Sequence, residues 1–216
     1  MAAGQPLRGF VAQGMDGRKA SPTAYTYTYP AGSHTWTCPA SGQWRFVLWG
    51  AGGGGDNATT AGGGSGALYS GKRFIARGQT VAVVVGANNG LGNGANSTAT
   101  LPGGEVFTAG GGGANAVAGT VTANQSLDIV YAGSAGGTGS GGSGASGLGD
   151  AGGAAGAGSG GFSGGAGAPG YGSFRGGDGQ AGGATRSAEV PGGGGAMNGL
   201  TGNPGGDGMV VIYRET

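Results

Sequence analysis

Two side chains that could hold a metal or carry nucleophilic chemistry stand four residues apart, His34 and Cys38, and each is the only one of its kind in the 216-residue chain. A structural zinc site needs about four such ligands, so a His/Cys centre would be incomplete and no metal is expected. A Ser/His/Asp set would have to recruit His34, which lies in a run that reads as strand and is taken as a surface or interface histidine. Cys38 reads as a small buried residue, and a lone cysteine excludes an intrachain disulfide framework. The acids Asp16, Asp56, Glu105, Asp128, Asp150, Asp178, Glu189, Asp207 and Glu215 show no spacing that pairs two of them for acid–base work. Most stand beside glycine or on turns and read as solvated loop acids. Gly139-Ser-Gly-Gly-Ser-Gly144 satisfies G-x-G-x-x-G, but a chain this rich in glycine does so by chance, and no βα unit precedes it. Gly71-Lys72 is followed by Arg73, so there is no P-loop. Asn57, Asn96 and Asn124 open N-glycosylation triplets. Met1 to Gly14 has no apolar stretch and is not read as a secretory signal. These residues lead to a non-enzymatic protein that uses no cofactor.

Something must nevertheless hold such a chain together. Glycine accounts for 62 residues, charged residues for 9% and aromatics for 7%, with a formal net charge of +1. So little Leu, Ile and Phe cannot build a large ordinary core. Near-neutrality argues against binding nucleic acid through a basic surface. No apolar run reaches the roughly 18 residues of a membrane span, so no membrane insertion is expected.

Short strands are written into the first half. Tyr25 to Tyr29 alternates, Thr35 to Cys38 follows, and Gln43 to Trp49 puts Trp44, Phe46 and Leu48 on one face with Arg45, Val47 and Trp49 on the other. Tyr69 to Ala76, Thr80 to Val85 and Ser126 to Tyr131 continue the series, the last grouping Leu127, Ile129 and Tyr131. Met209 to Arg214 closes it and must return to the aromatic N-terminal half, where an apolar core can form. Runs of β-branched and aromatic residues between glycine turns read as antiparallel strands, and no segment carries a helical period.

Glycine supplies a second pattern, with a period of three. One row runs from Gly149 to Gly182, interrupted only by Ala155 and Ser173; another covers Gly133, Gly136, Gly139 and Gly142; a third runs from Gly193 to Gly208 with Ala196 in the gap. Three residues per turn is polyproline II geometry, which makes no internal hydrogen bonds. Its N–H and C=O groups must find partners outside the segment. A face bearing only glycine lets neighbouring backbones close in and pair laterally, with Cα–H···O contacts added. Ordering each residue opposes this by about 1–2 kcal/mol and each hydrogen bond returns about 0.5–1.5 kcal/mol, so many segments must act together on a β platform. The fold expected is mainly β: short antiparallel strands forming a platform, plus a bundle of polyglycine II helices, with no α-helix. Residues 1–24 read as an attachment segment, 25–132 as the platform with glycine-rich inserts, 133–208 as the bundle with exposed loops, and 209–216 as the closing strand.

Three motifs carry a family resemblance. Val47-Leu-Trp-Gly-Ala-Gly-Gly-Gly-Gly55, Gly78-Gln-Thr-Val-Ala-Val-Val-Val-Gly86 and Gly205-Gly-Asp-Gly-Met-Val-Val-Ile-Tyr213 occur in the order found in the glycine-rich domain of bacteriophage tail proteins, which this chain resembles. The same architecture is similar to the tail-fibre-tip adhesin of T-even-like phages. There, stacked polyglycine II helices carry distal loops that recognise the host surface. The resemblance implies a virion protein assembled in the host cytoplasm and then exposed on the particle. Its partners would be tail-fibre, tail or capsid proteins and a protein or glycan receptor on the host cell, with a homo-oligomer, trimeric by analogy.

Residues without an obvious core partner are the expected contacts. For the receptor these are Asn88, Asn89, Asn96, Phe162, Tyr171, Phe174, Arg175, Arg186, Met197 and Asn198, since loops on a rigid scaffold carry recognition and aromatics with arginine make interface anchors. For virion attachment they are Leu7, Arg8, Phe10, Val11 and Met15. The function expected is a receptor-binding tail-fibre or tail-tip adhesin; the alternative is a structural virion component, such as a capsid decoration or fibre protein. An ice-binding glycine bundle would need a flat, regular Thr/Ala face, and the threonines fall instead in strands and loops.

Overall fold

A computed structural model of the chain describes residues 25–55, 62–114, 116–136, 190–195, 197–198 and 201–215. Among these residues every regular element is a strand. The strands are β1 (Thr26–Tyr29), β2 (Gly32–Thr37), β3 (Gly42–Trp49), β4 (Leu68–Ile75), β5 (Thr80–Val85), β6 (Ser97–Thr100), β7 (Val106–Ala109), β8 (Ile129–Tyr131), β9 (Met197–Asn198), β10 (Thr201–Gly202) and β11 (Met209–Arg214). They form a five-stranded sheet in the order β1-β11-β3-β4-β8, a four-stranded sheet in the order β2-β5-β6-β7, and the small β9–β10 pair. All pairings are antiparallel.

Alternation decides which side chains meet. Trp44, Phe46 and Leu48 from β3, Tyr69 and Ile75 from β4, Val210 and Ile212 from β11 share one core with Trp36, Val81, Val83, Ala99 and Phe107 of the four-stranded sheet. Phe46, Trp36 and Trp44 meet edge-on, and Tyr69 stacks on Phe107 with centroids 4.7 Å apart. The opposite face of β3 contributes Val47 and Trp49 to a second buried cluster with Leu68 and Val211, so β3 is covered on both sides. β11 lies between β1 and β3, where Val211 pairs with both Thr28 and Val47. The last strand thus closes the sheet at its interior, as its apolar sequence requires.

Two expectations change. Ser126 to Tyr131 is strand only from Ile129, because the Asp128 carboxylate accepts the amides of Asn124 and Gln125 and folds residues 124–128 into a turn. Leu127 consequently stands 87% exposed, apart from Ile129 and Tyr131. Ser97–Thr100 and Val106–Ala109, not expected as strands, are β6 and β7; Ser97, Ala99, Phe107 and Ala109 are their buried alternates.

Beyond one end of the sandwich the strands run out into glycine. β3 continues as residues 50–55, β4 is preceded by 62–67, β6 by 92–96 and β11 by 203–208, while β7 and β8 lead into 110–114 and 132–136. Hydrogen bonds between these segments repeat every third residue. The amides of Gly50 and Gly53 donate to Ala67 and Gly64, those of Ala51 and Gly54 to Ala95 and Gly92, and those of Gly52 and Gly55 to Gly206 and Asn203, all within 2.8–3.0 Å. The next segment does the same: Gly63 and Gly66 donate to Gly195 and Gly192, Gly64 and Ala67 to Gly113 and Gly110, and Ser65 to Ser134. Each segment is thereby bonded to three neighbours at once, which satisfies a buried backbone that no sheet ladder serves. The spacing leaves no room for side chains: a Cβ on Gly52, Gly63, Gly66, Gly112 or Gly136 would overlap a neighbour's carbonyl. The laterally bonded segments come from both sides of residue 132. Residues 137–189, which contain the whole of the longest glycine row, lie outside the described residues.

Candidate functional site

The bundle gives the molecule two poles. At the sandwich pole lie the turns 38–42, 76–79 and 101–105, together with Tyr25 and Arg214, where the Arg214 amide donates to the Tyr25 carbonyl at 3.1 Å. At the far pole the glycine segments reach their turning points. Gly54 abuts Gly90 and Leu91, Gly202 abuts Gly55 and the Leu91 side chain, Gly113 abuts Val117, and Gly136 abuts Gly62. Residues 88–92, 114, 116–117 and the β9–β10 pair therefore share one crown, held on a body whose backbone is pinned from several sides.

Asparagines fix the shape of this crown. Asp207 Oδ1 accepts both the Asn88 amide at 2.7 Å and Asn88 Nδ2 at 2.6 Å, while Asn88 Oδ1 accepts the Gly90 amide at 3.3 Å. Asn88 thus anchors the 88–92 turn to the segment entering β11. Asn93 Oδ1 accepts the Ala114 amide and Asn96 Oδ1 the Gly111 amide, each at 2.9 Å. Asn89 and Leu91 are left exposed at the apex, and Val117 is 58% exposed. Gly90 and Ala116 take the left-handed conformation at φ 61° and 60°, which lets the chain reverse within so short a turn. Of the expected receptor contacts, Asn88, Asn89, Met197 and Asn198 come together at the crown, the last two by the place of β9. Asn96 lies nearer the sandwich. Phe162, Tyr171, Phe174, Arg175 and Arg186, and the attachment residues Leu7, Arg8, Phe10, Val11 and Met15, lie outside the described residues.

Among the described residues the richest cluster of ionisable groups is elsewhere, at the edge of the sandwich, and sequence spacing did not reveal it. Arg73 Nε and Nη2 donate to the two oxygens of Glu105 at 2.8 and 2.5 Å, and Nη1 donates to Asp128 at 2.9 Å. The Tyr69 hydroxyl donates to Asp128 at 2.5 Å, and the Arg73 guanidinium lies over the Phe107 ring at 4.8 Å. The side chain of Asp128 is 1% exposed. It is not a solvated loop acid but a buried partner of an arginine 55 residues earlier. Gly71 makes the room, since a Cβ there would press on Tyr69, Phe107 and Asp128. Burial pushes the Asp128 carboxyl up, but the bonds from Arg73 and Tyr69 outweigh it and hold the group below the ordinary carboxylate range. Glu105 is lowered chiefly by its bonds to Arg73, and burial and the bond to Asp128 raise the Tyr69 hydroxyl. Both carboxylates are ionised and occupied at neutral pH, so neither has a proton to give. The cluster clamps residues 124–128 onto β4 and β7.

Glu215 is likewise engaged, by Arg45 and by Lys72, the latter at 2.5 Å. His34 Nε2 donates to the Pro30 carbonyl at 2.9 Å across the β1–β2 turn, and its ring lies tilted against Tyr29 with centroids 5.1 Å apart. Cys38 is buried, its thiol donates to the Ala40 carbonyl at 3.1 Å, and burial pushes its pKa up, which makes it a poor nucleophile. Among the described residues no three His, Cys, Asp or Glu converge to hold a metal ion.

Comparison with curated proteins gives no match. Residues 28–215 match the family model described as a glycine-rich domain. That span runs from β1 to the end of β11 and takes in both the sandwich and the laterally bonded glycine segments, so the chain belongs to the glycine-rich domain family.

Proposed function

We propose that this protein is a non-enzymatic bacteriophage virion protein, a receptor-binding adhesin of the tail fibre or tail tip, whose crown contacts the host-cell surface. The single observation that carries this reading is the convergence of Asn89, Leu91, Val117 and the β9–β10 pair at the pole opposite Tyr25 and Arg214. A scaffold whose body is fixed by backbone hydrogen bonds can vary the exposed side chains of its turns without remaking its core, which is what a recognition surface needs. The three sequence motifs that resemble those of phage tail proteins support the same reading. The sandwich pole, opposite the crown, faces the remaining virion proteins.

The test pairs the crown with the particle. Purified protein should bind susceptible host cells and block adsorption of the phage. Asn89→Arg combined with Leu91→Ser should lower cell retention by about tenfold or more, the loss expected when an anchor worth about 1.4 kcal/mol is removed, with unchanged melting. If particles carrying these and other crown variants adsorb normally, the adhesin reading fails, and the structural virion component takes its place.

A further inference from the structure

Three asparagines in the chain are followed by glycine, in Asn89-Gly90, Asn93-Gly94 and Asn198-Gly199. Such a pair can modify itself. The nitrogen of the following residue attacks the side-chain amide carbon, and glycine, having no Cβ, obstructs that approach least. Whether the attack occurs depends on how freely both groups move. Gly199 lies outside the described residues, which leaves Asn89 and Asn93 to compare. They stand four residues apart in sequence, and the fold treats them oppositely.

Asn93 is held at both reacting groups. Its Oδ1 accepts the Ala114 amide at 2.9 Å, and the Gly94 amide donates to the Gly112 carbonyl at 2.8 Å. The attacking nitrogen and the attacked carbonyl are thus both tied to residues 110–114 of the bundle. A Cβ at Gly94 would overlap the carbonyls of Ala51 and Gly52, so the backbone there has no space to turn. Asn89 escapes these restraints. Its side chain is exposed and makes no hydrogen bond among the described residues. The Gly90 amide donates to Asn88 Oδ1 at 3.3 Å, longer than the ordinary N–H···O range. A Cβ at Gly90 would meet nothing within 4 Å, so water and base reach this peptide group freely.

We propose that Asn89-Gly90 is a self-modifying site, at which Asn89 deamidates through a cyclic imide while Asn93 is spared. The Gly90 nitrogen gives its proton to solvent base and bonds to Asn89 Cγ. The bond from Cγ to Nδ2 breaks, and the side-chain nitrogen leaves as ammonia. One water then opens the ring. Attack at Cγ gives aspartate; attack at the main-chain carbonyl carbon gives isoaspartate, whose chain runs through the side chain and is one atom longer. One water is consumed and one ammonia released, with no change of oxidation state. The described crown residues carry no ionisable side chain, so either product places a negative charge on an uncharged apex. Isoaspartate also turns the Asn89 carbonyl, which accepts the Gly92 amide at 3.0 Å, into a free carboxylate and so unties the turn. The chemistry is independent of the adhesin reading; only its effect on host-cell binding rests on that reading.

The experiment follows the full chain in neutral buffer at physiological temperature. Chymotrypsin cuts after Leu91 and separates Asn89 from Asn93, and mass spectrometry reads the conversion of amide to acid on each peptide. In the folded protein Asn89 should convert at least about tenfold faster than Asn93, a barrier difference of about 1.4 kcal/mol, with isoaspartate among the products. In urea, where both pairs are free, the two rates should converge. Equal rates in the folded protein overturn the proposal. So does an Asn89 that stays intact while the unfolded chain converts. A ratio that persists unchanged in urea would trace the preference to local sequence and would overturn it too. Asn88 shares the Asn89 peptide, so Asn89→Gln should abolish the signal; conversion that survives this variant lies at Asn88 and equally overturns the assignment.

Discussion

The sandwich and the glycine bundle solve one problem with opposite materials. In the sandwich, Trp36, Trp44, Phe46 and Phe107 fill the space between two sheets, and the backbone is paired within each sheet only. In the bundle the space between backbones is filled by the backbones themselves, and successive amides bond to three neighbours in turn. A side-chain core tolerates changes of shape because rotamers adjust; volume-conserving swaps cost little. A backbone core has nothing to adjust. Its buried surface is mostly peptide, so it gains little from the hydrophobic effect, and it bears the high entropy of ordering glycine. It follows that the bundle depends on the sandwich to hold its segments in register. Ser97 stitches the two at their junction, its hydroxyl donating to the Trp49 carbonyl at 2.6 Å and accepting the Gly86 amide at 2.9 Å.

The sharpest way to break this comparison is to add one methyl group to the bundle. Gly63→Ala puts a Cβ into the Gly53 carbonyl, and neither backbone can retreat without losing lateral bonds. Destabilisation should exceed the ~3 kcal/mol upper end of ordinary overpacking. Rapid amide exchange across the 50–55, 62–67 and 110–114 segments, with the sandwich amides still protected, is the expected result. Full protection of the bundle in Gly63→Ala would show that it repacks as a side-chain core does. Removing most of a ring from the sandwich should hurt slightly less. Phe107→Ala opens a cavity among Phe46, Tyr69 and the Arg73 guanidinium, for a loss of about 3 kcal/mol in chemical denaturation, whereas Phe107→Leu should recover most of it. Equal losses for the two would deny that packed volume matters there.

The smallest effect separates the regions by pH. Asp128 and Glu105 have folded-state pKa values below their ordinary ones. Their contribution is complete above the unfolded carboxylate range, about pH 5, and is lost as pH falls through the folded values. Burial pushes Tyr29 up to about 12, so its contribution is complete below its ordinary value and is lost as pH rises from about 10 to 12. All three groups sit in the sandwich. Acid should therefore lower the sandwich's near-ultraviolet circular dichroism midpoint first, and Arg73→Met should flatten that acid dependence. An unchanged slope in Arg73→Met would remove the clamp from the account.

The strands of the sandwich were legible because a period of two marks faces directly: Gln43 to Trp49 divides as its sequence says, and Met209 to Arg214 joins the N-terminal half. β6 and β7 were not, since Ser97–Thr100 and Val106–Ala109 are only four residues each, and the first is almost wholly Ser and Thr. The role of Gly52 to Gly55 was hidden for a different reason. A run made wholly of glycine displays no period, so its three-residue bonding could not be read from it. The crown was partly legible, because Asn88, Asn89, Met197 and Asn198 stood out as polar or bulky residues amid glycine. Arg73 and Asp128 did not, because nothing in either local sequence points to a partner 55 positions away.

By itself the sequence determined which side chains share a face of each strand, and that the glycine stretches could not be closed by side chains. Both follow from local chemistry: alternation is a property of one strand, and a missing Cβ is a property of one residue. Which strands are neighbours, which carbonyl each glycine amide finds, and that the turns gather at one pole were decided only in the tertiary structure. Peptide groups are identical along the chain, so a backbone hydrogen bond carries no record of its partner in the sequence. Register has to be set by the packed strands at the other end.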